Sequence, residues 1–236
     1  MTILNIETST SCCSAAITVD GKPLVVKENT CGANHAHDLP LFIDDLLRYA
    51  REHGLHIEAV ALSEGPGSYT GLRIGASTAK GICYGLNVPL IPIDTLQLLC
   101  KAAAQAVVEH DGDGSILLCP MIDARRMEVY TAMYEPCTLQ RIGEIEAKVI
   151  DGYSFAQQLD QSDAIWFFGD GAAKCKSLIQ HKNARFIDNI VPSAQWMGEL
   201  AERETARRLD VKQMAYFEPF YLKDFVPAPS HVKGLQ

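Results

Sequence analysis

The sequence predicts an α/β protein of two lobes built on one plan, each with a mixed sheet. Two observations carry that reading. Residues 3–28 hold three short apolar runs separated by turns, and helix and strand periodicities then alternate to about residue 108. From residue 116 the pattern begins again. ILLCPMIDARRMEVYTAMYE repeats the order of apolar strand, acidic residue, turn and alternating strand seen in ILNIETSTSCCSAAITVD. The match is one of pattern rather than identity, and 236 residues suit two domains of about 100 each.

The elements follow in order. Residues 3–7, 13–19 and 22–28 read as strands, with Asp20-Gly21 as a tight hairpin between the last two. A helix follows from about residue 38, since Leu39, Phe42, Ile43, Leu46 and Leu47 recur at helical spacing, and Gly54 closes it. AVALSEG at 59–65 is a buried strand feeding a GPG turn. A helix over 72–86, a short strand PLIPI at 89–93 and a helix to about residue 108 complete the first half. Three antiparallel strands followed by alternating helix and strand is the order of a ribonuclease H-like unit. HDGDGS at 110–115 reads as a linker, giving lobes over 1–109 and 110–236. Beyond the second set of strands come WFFG at 166–169, a GDG turn and a helix near 172–180. A further helix after Ser193 buries Trp196, Met197 and Leu200. The aromatic, proline-rich FEPFYLKDFVPAPS is expected to pack as an extended segment and to fray after Pro229.

Composition narrows the function. A formal charge of −8 with no basic run argues against a chain that grips nucleic acid unaided. The N-terminus has neither a basic region nor a long apolar core, and no apolar run approaches the roughly 20 residues that span a bilayer. The eight cysteines show no zinc spacing and read as reduced thiols, so the expected location is the cytoplasm.

Four stretches could carry chemistry. The hydroxyl-rich turn ETSTSCCS at 7–14 could wrap phosphates through Thr8 and Ser9, but it lacks a glycine for close backbone approach. Gly65, Pro66 and Gly67 could launch a helix whose N-terminus attracts anions, although the carboxylate of Glu64 opposes phosphate there. On that helix Leu72, Gly75, Ala76, Ala79 and Cys83 form a stripe of mostly small residues, suited to close packing against an internal or an external helix. His35 and His37 face apart on a helix and read as solvated. Gly169 and Gly171 flank Asp170, which reads as an N-cap, while Asp123 with Arg125 and Arg126 suits either a salt bridge or a substrate contact. No nucleophile–base pair stands out, so neither a catalytic nor a metal-binding residue is nominated.

Taken together, ILNIETSTSCCSAAI, GPGSYTGLRIGASTAKGICYGLNVPLIPIDTL, IDARRMEVY, FGDGA and PFYLKD resemble the TsaB family, in this order and along nearly the whole chain. The resemblance implies an actin-like ATPase (ASKHA) fold of two ribonuclease H-like lobes. It implies a non-catalytic subunit that dimerises with TsaD, which threonylcarbamoylates the adenosine beside the anticodon of certain tRNAs, with TsaE as the ATPase that joins them. ATP and a metal are then expected on those partners and none on this chain alone, with tRNA met only through the complex and a homodimer possible in isolation. In the family the first two long helices dock on those of TsaD, which nominates Leu39, Phe42, Ile43, Leu46, Leu72, Gly75, Ala76, Ala79 and Cys83 as the partner interface. Thr8, Ser9, Gly65, Gly67, Asp123, Gly169 and Gly171 then mark degenerate phosphate loops. Two departures from TsaD fit this. Its HxxxH histidines have no counterpart in residues 94–99, which read DTLQLL, and its first-turn aspartate is replaced within Glu7-Thr8-Ser9-Thr10-Ser11. Lys223 stands where the family more usually has arginine. The rival readings are an ATP-dependent kinase or hydrolase of the same superfamily, with Mg²⁺ near Glu7 and Asp123, and a metallopeptidase.

Overall fold

A computed structural model describes residues 1–30, 32, 34–108 and 114–223. Most of the expected linker, Cys31 and the segment around Pro229 lie outside the described residues. The first sheet contains β1 (Thr2–Glu7), β2 (Cys13–Val19), β3 (Lys22–Asn29), β4 (Ala59–Gly65) and β5 (Leu90–Asp94), in the order β3-β2-β1-β4-β5. β1 pairs antiparallel with β2 and parallel with β4, so it is central and buried on both faces. Asp20 and Gly21 both take positive φ, as the tight β2–β3 hairpin requires.

α1 (His35–Glu52) and α2 (Tyr69–Leu86) lie side by side on one face of this sheet. α1 starts three residues earlier than the periodicity indicated, so His35 and His37 are helical. Asp38 explains the early start, because its carboxylate accepts from the Asn34 N–H and from the Asn29 side chain. Gly54, at φ +65°, follows the last turn of α1. α2 begins at Tyr69 because Ser68 caps it by accepting from the Gly71 N–H, and it ends on left-handed Asn87. α3 (Thr95–Val108) is capped by Asp94, whose Oδ1 accepts from the Leu96 and Gln97 N–H groups.

The second sheet repeats the first. β6 (Ile116–Asp123), β7 (Glu128–Tyr134), β8 (Arg141–Val149), β9 (Ala164–Phe168) and β10 (Ala184–Phe186) run in the order β10-β9-β6-β7-β8, the same topology read from the other edge. α4 (Ala156–Gln161) precedes β9. The helix expected near 172–180 is only the four-residue α5 (Ala172–Cys175). A 3₁₀ turn from Ala194 to Trp196 continues into α6 (Met197–Arg203), and α7 (Val211–Ala215) follows. These last segments do not stay with the second sheet. α6 and the 3₁₀ turn pack on β1, β2, β3 and β5, and α7 packs on α2.

α3 is the layer between the lobes. Leu96, Leu99 and Ala103 join Ile91 and Ile93 of the first sheet to Leu118, Ile122, Trp166 and Phe168 of the second, with Met197 and Leu200 closing the cluster. Each large apolar side chain so buried contributes about 1.5–3 kcal/mol. Asp94 adds a polar tie beside this layer, since its Oδ2 accepts from the Tyr134 hydroxyl at 2.9 Å and pairs with Arg141 at 3.4 Å. The lobes therefore share one core at their base and diverge from it.

Candidate functional site

Where the lobes diverge they leave a cleft of about 910 Å³. Ser9, Thr10 and Ser11 from the β1–β2 turn, with Gly67, Ser68, Tyr69 and Thr70 at the start of α2, form one wall. Asp123, Arg125, Arg126, Glu128 and Tyr130 around the β6–β7 turn form the other, with Asp170 behind them. His35 and residues 221–223 sit at the rim. Of the nominated loop residues, Ser9, Gly67 and Asp123 line the cleft, while Thr8, Gly65, Gly169 and Gly171 are not among its lining residues.

The first wall is occupied by its own chain. Glu7 is fully buried at the end of β1, and its Oε1 accepts from both the backbone N–H and the hydroxyl of Ser9. The Glu7 carboxyl thus takes up the Ser9 N–H inside the chain. The Ser9 carbonyl in turn accepts the Ser68 N–H at 2.6 Å, and the Cys12 N–H is directed to the Thr10 hydroxyl. The glycines of the GPG-to-helix segment serve the same closure. A Cβ at Gly67 would overlap the Ser9 carbonyl, one at Gly71 the Thr8 carbonyl, and one at Gly75 the Thr8 hydroxyl. Thr8 Oγ1 also donates to the Gly71 carbonyl at 2.8 Å. These glycines admit protein backbone rather than a ligand.

Burial pushes the Glu7 carboxyl up to about 7, against the opposing effect of its Ser9 hydrogen bonds and the nearby Ser63 hydroxyl. Its second oxygen and the Ser63 hydroxyl each lack a well-formed hydrogen bond among the described residues. Glu64 does not line the cleft. Its carboxylate meets Arg207 at 2.7 Å through both oxygens, and burial raises its pKa while Arg207 opposes the rise. The conflict between Glu64 and a phosphate therefore does not arise.

In the second wall, Asp123 pairs with Lys174 at 2.6 Å and accepts the Arg125 N–H at 2.7 Å. Asp170 is not a side-chain N-cap for α5. It bonds the Asp123 N–H at 2.9 Å and so clamps the turn from across the lobe. Gly169 and Gly171 pack against the Met121 carbonyl and the 122–123 backbone, again leaving no room for a side chain. His35 bonds the Cys12 carbonyl and His37 bonds Asp38. Among the described residues no three His, Cys, Asp or Glu side chains converge. The Ser9 and Ser68 N–H groups donate within the chain, and Asp123 is paired with Lys174.

The nominated docking stripe is likewise turned inward. Leu39, Ile43, Leu46, Leu72, Gly75, Ala76, Ala79 and Cys83 are buried, most of them in one cluster with Leu4, Ile6, Ile17 and Leu62 of the first sheet, and Phe42 is half-buried beside them. The small residues on α2 let its axis approach its own sheet and the ETSTS turn. The eight buried positions present little surface, while Phe42 keeps part of its own. What α1 and α2 present outward is a different set: Leu41 on α1, and Arg73, Ser77, Gly81, Tyr84 and Gly85 on α2. Tyr84 is 76% exposed, and a Cβ added at Gly81 or Gly85 would meet nothing. Among the described residues six of seven cysteines are buried, and burial pushes thiols such as Cys83 and Cys119 up to about 12. No described helix is long and apolar enough to cross a membrane.

Comparison with known proteins identifies the family. Residues 28–226 match the family described as "TsaD: tRNA N6-adenosine threonylcarbamoyltransferase". A protein of Haemophilus influenzae named "tRNA threonylcarbamoyladenosine biosynthesis protein TsaB" is 30% identical over 234 residues, covering 96% of this chain and 95% of that protein. The protein of the same name from Escherichia coli is 34% identical over 135 residues, covering 57% of this chain and 55% of its own length. The solved structure "YeaZ from Pseudomonas aeruginosa" superimposes with a TM-score of 0.76 over 94% of this chain and 99% of that one, at 24% identity. The likeness establishes the two-lobed fold.

Proposed function

Because the chain belongs to the TsaB family, within the wider TsaD group of tRNA N6-adenosine threonylcarbamoyltransferases, we propose that it is a non-catalytic partner of a TsaD-type enzyme. In this reading it binds and activates that enzyme for N6-threonylcarbamoylation of the adenosine adjacent to the anticodon in tRNA. A TsaE-type ATPase joins the pair, and ATP and metal reside on the partners. The observation that carries the reading is the self-bonded loop, in which Glu7 takes the Ser9 N–H and the Ser9 carbonyl takes the N–H of Ser68, the residue that caps α2. A chain of net charge −8 meets tRNA through the basic groove of a partner.

The docking surface of this reading is the outward side of α1 and α2. Ser77, Gly81 and Gly85 recur every four residues on α2, so a second helix can approach at the lower end of the usual 8–10 Å separation, with Tyr84 and Leu41 as apolar anchors. Without an enzyme partner the same face can pair two copies of this chain. The test is co-purification with the TsaD-type protein of the same cell. Gly81→Arg and Tyr84→Glu are expected to abolish the complex while each variant keeps its melting temperature within a few degrees. A complex that survives both changes overturns the placement. Titration calorimetry addresses the kinase or hydrolase alternative: tight Mg·ATP binding by the lone chain would favour it.

A further inference from the structure

The C-terminal segment from Phe217 to Lys223 touches both walls of the cleft without belonging to either sheet. Phe217 is half-buried against the core of the first lobe. The Phe220 N–H donates to the Glu64 carbonyl at 2.7 Å. Its own carbonyl lies where a Gly65 Cβ would come to 2.6 Å, and Gly65 is held at φ +120°, so this position accepts the segment only as glycine. The Tyr221 ring lies 5.1 Å from that of Tyr69, in the first turn of α2. Lys223 then crosses to the second lobe and pairs with Glu128 on β7. Just upstream, Arg207 holds the Glu64 side chain, so Glu64-Gly65 is gripped by the tail through backbone and carboxylate together.

We propose that residues 217–223 are a strap that locks the two lobes across the mouth of the cleft. The shared core fixes the lobes at their base, and the strap fixes them at the open end. The start of α2 thereby keeps one orientation relative to the β6–β7 turn. This is independent of which partner α1 and α2 meet.

The experiment is hydrogen–deuterium exchange on the full chain, comparing wild type with Lys223→Glu, with Gly65→Ala, and with the double reversal Lys223→Glu/Glu128→Lys. In wild type, peptides spanning 217–223 should exchange at least tenfold more slowly than an unstructured chain. Lys223→Glu should raise strap exchange roughly two- to fivefold, as loss of a partly exposed ion pair allows. It should also raise exchange at both cleft walls, residues 9–11 with 68–70 and residues 123–128, leaving β1 and β6 unchanged. The double reversal should restore the wild-type pattern, and Gly65→Ala should give the larger effect. Strap exchange at the unstructured rate in wild type, or a released strap with both walls unaltered, overturns the lock. Lys223→Glu alone decides the matter should Gly65→Ala fail to fold.

Discussion

Glu7 decides what the first loop can do. At the end of a central strand, its buried carboxyl takes up the N–H and the hydroxyl of Ser9, two positions on. Its raised pKa has a consequence for stability. Between the ordinary carboxylate value of 4.5 and about 7 the folded chain holds a proton that the unfolded chain has lost, so stability falls as pH rises through this window. The full effect, about 3 kcal/mol at 1.36 kcal/mol per pKa unit, is in place above pH 7. Glu7→Gln, which keeps an acceptor for the Ser9 N–H, should flatten this decline, and urea unfolding at pH 5 and pH 8 measures it. A decline as steep in the variant as in wild type would mean that the proton sits elsewhere. The glycines of α2 give a second, local contrast. Gly71→Ala forces a methyl into the Thr8 carbonyl and should destabilise by about 1–3 kcal/mol or more, whereas Gly81→Ala, open on all sides, should stabilise by about 0.5–1 kcal/mol. Equal denaturation midpoints for the two would contradict the packing described. Glu7, Thr8, Gly67 and Gly71 were all legible as a turn and a helix start. That they fill one another was not, because the contact joins residues about sixty positions apart.

At the scale of elements, α2 shows how far periodicity reaches. Its inward stripe of Leu72, Gly75, Ala76, Ala79 and Cys83 reads correctly as one face of a helix, and its small side chains do mark a close approach. Sequence cannot distinguish an approach to the chain's own sheet from an approach to a partner, since both need small residues. Burial against Leu4, Ile6 and Leu62 settles it in favour of the sheet. The outward stripe is weaker in sequence because Arg73 and Tyr84 interrupt its small residues. The same limit applies to Asp170, whose neighbours suggest a helix cap while its bond goes to the Asp123 N–H across the lobe. The strands of the first sheet and the Asp20-Gly21 hairpin were legible because each depends on local pattern, and the internal repeat because that pattern recurs. Variants divide accordingly. Tyr84→Glu should leave the fold intact and remove partner binding, while Ala79→Arg should unfold the first lobe, and circular dichroism separates the two outcomes.

The whole molecule is held by a core that α3 shares between two copies of one topology, with a tail that returns to the first sheet. Nothing in the linear pattern indicates that return. Glu64 and Arg207 are 143 positions apart, and the stretch that holds Glu64 carries no sign of its partner. Asp94 and Tyr134 bridge the lobes in the same non-local way. Tyr134→Phe leaves a buried carboxylate without its best donor and should destabilise by about 1–3 kcal/mol in urea at pH 7.5, with no detectable loss pointing to an independent second lobe. The central claim is that this molecule acts through contact. The most direct measurement is the rate of threonylcarbamoyladenosine formation on tRNA by the proposed TsaD- and TsaE-type partners, reconstituted with this chain as wild type, as Ser9→Ala/Asp123→Asn in the cleft, or as Gly81→Arg/Tyr84→Glu on the α1–α2 face. The account predicts near-wild-type rates for the cleft variant and loss for the face variant. Loss with the cleft variant and full activity with the face variant would contradict it.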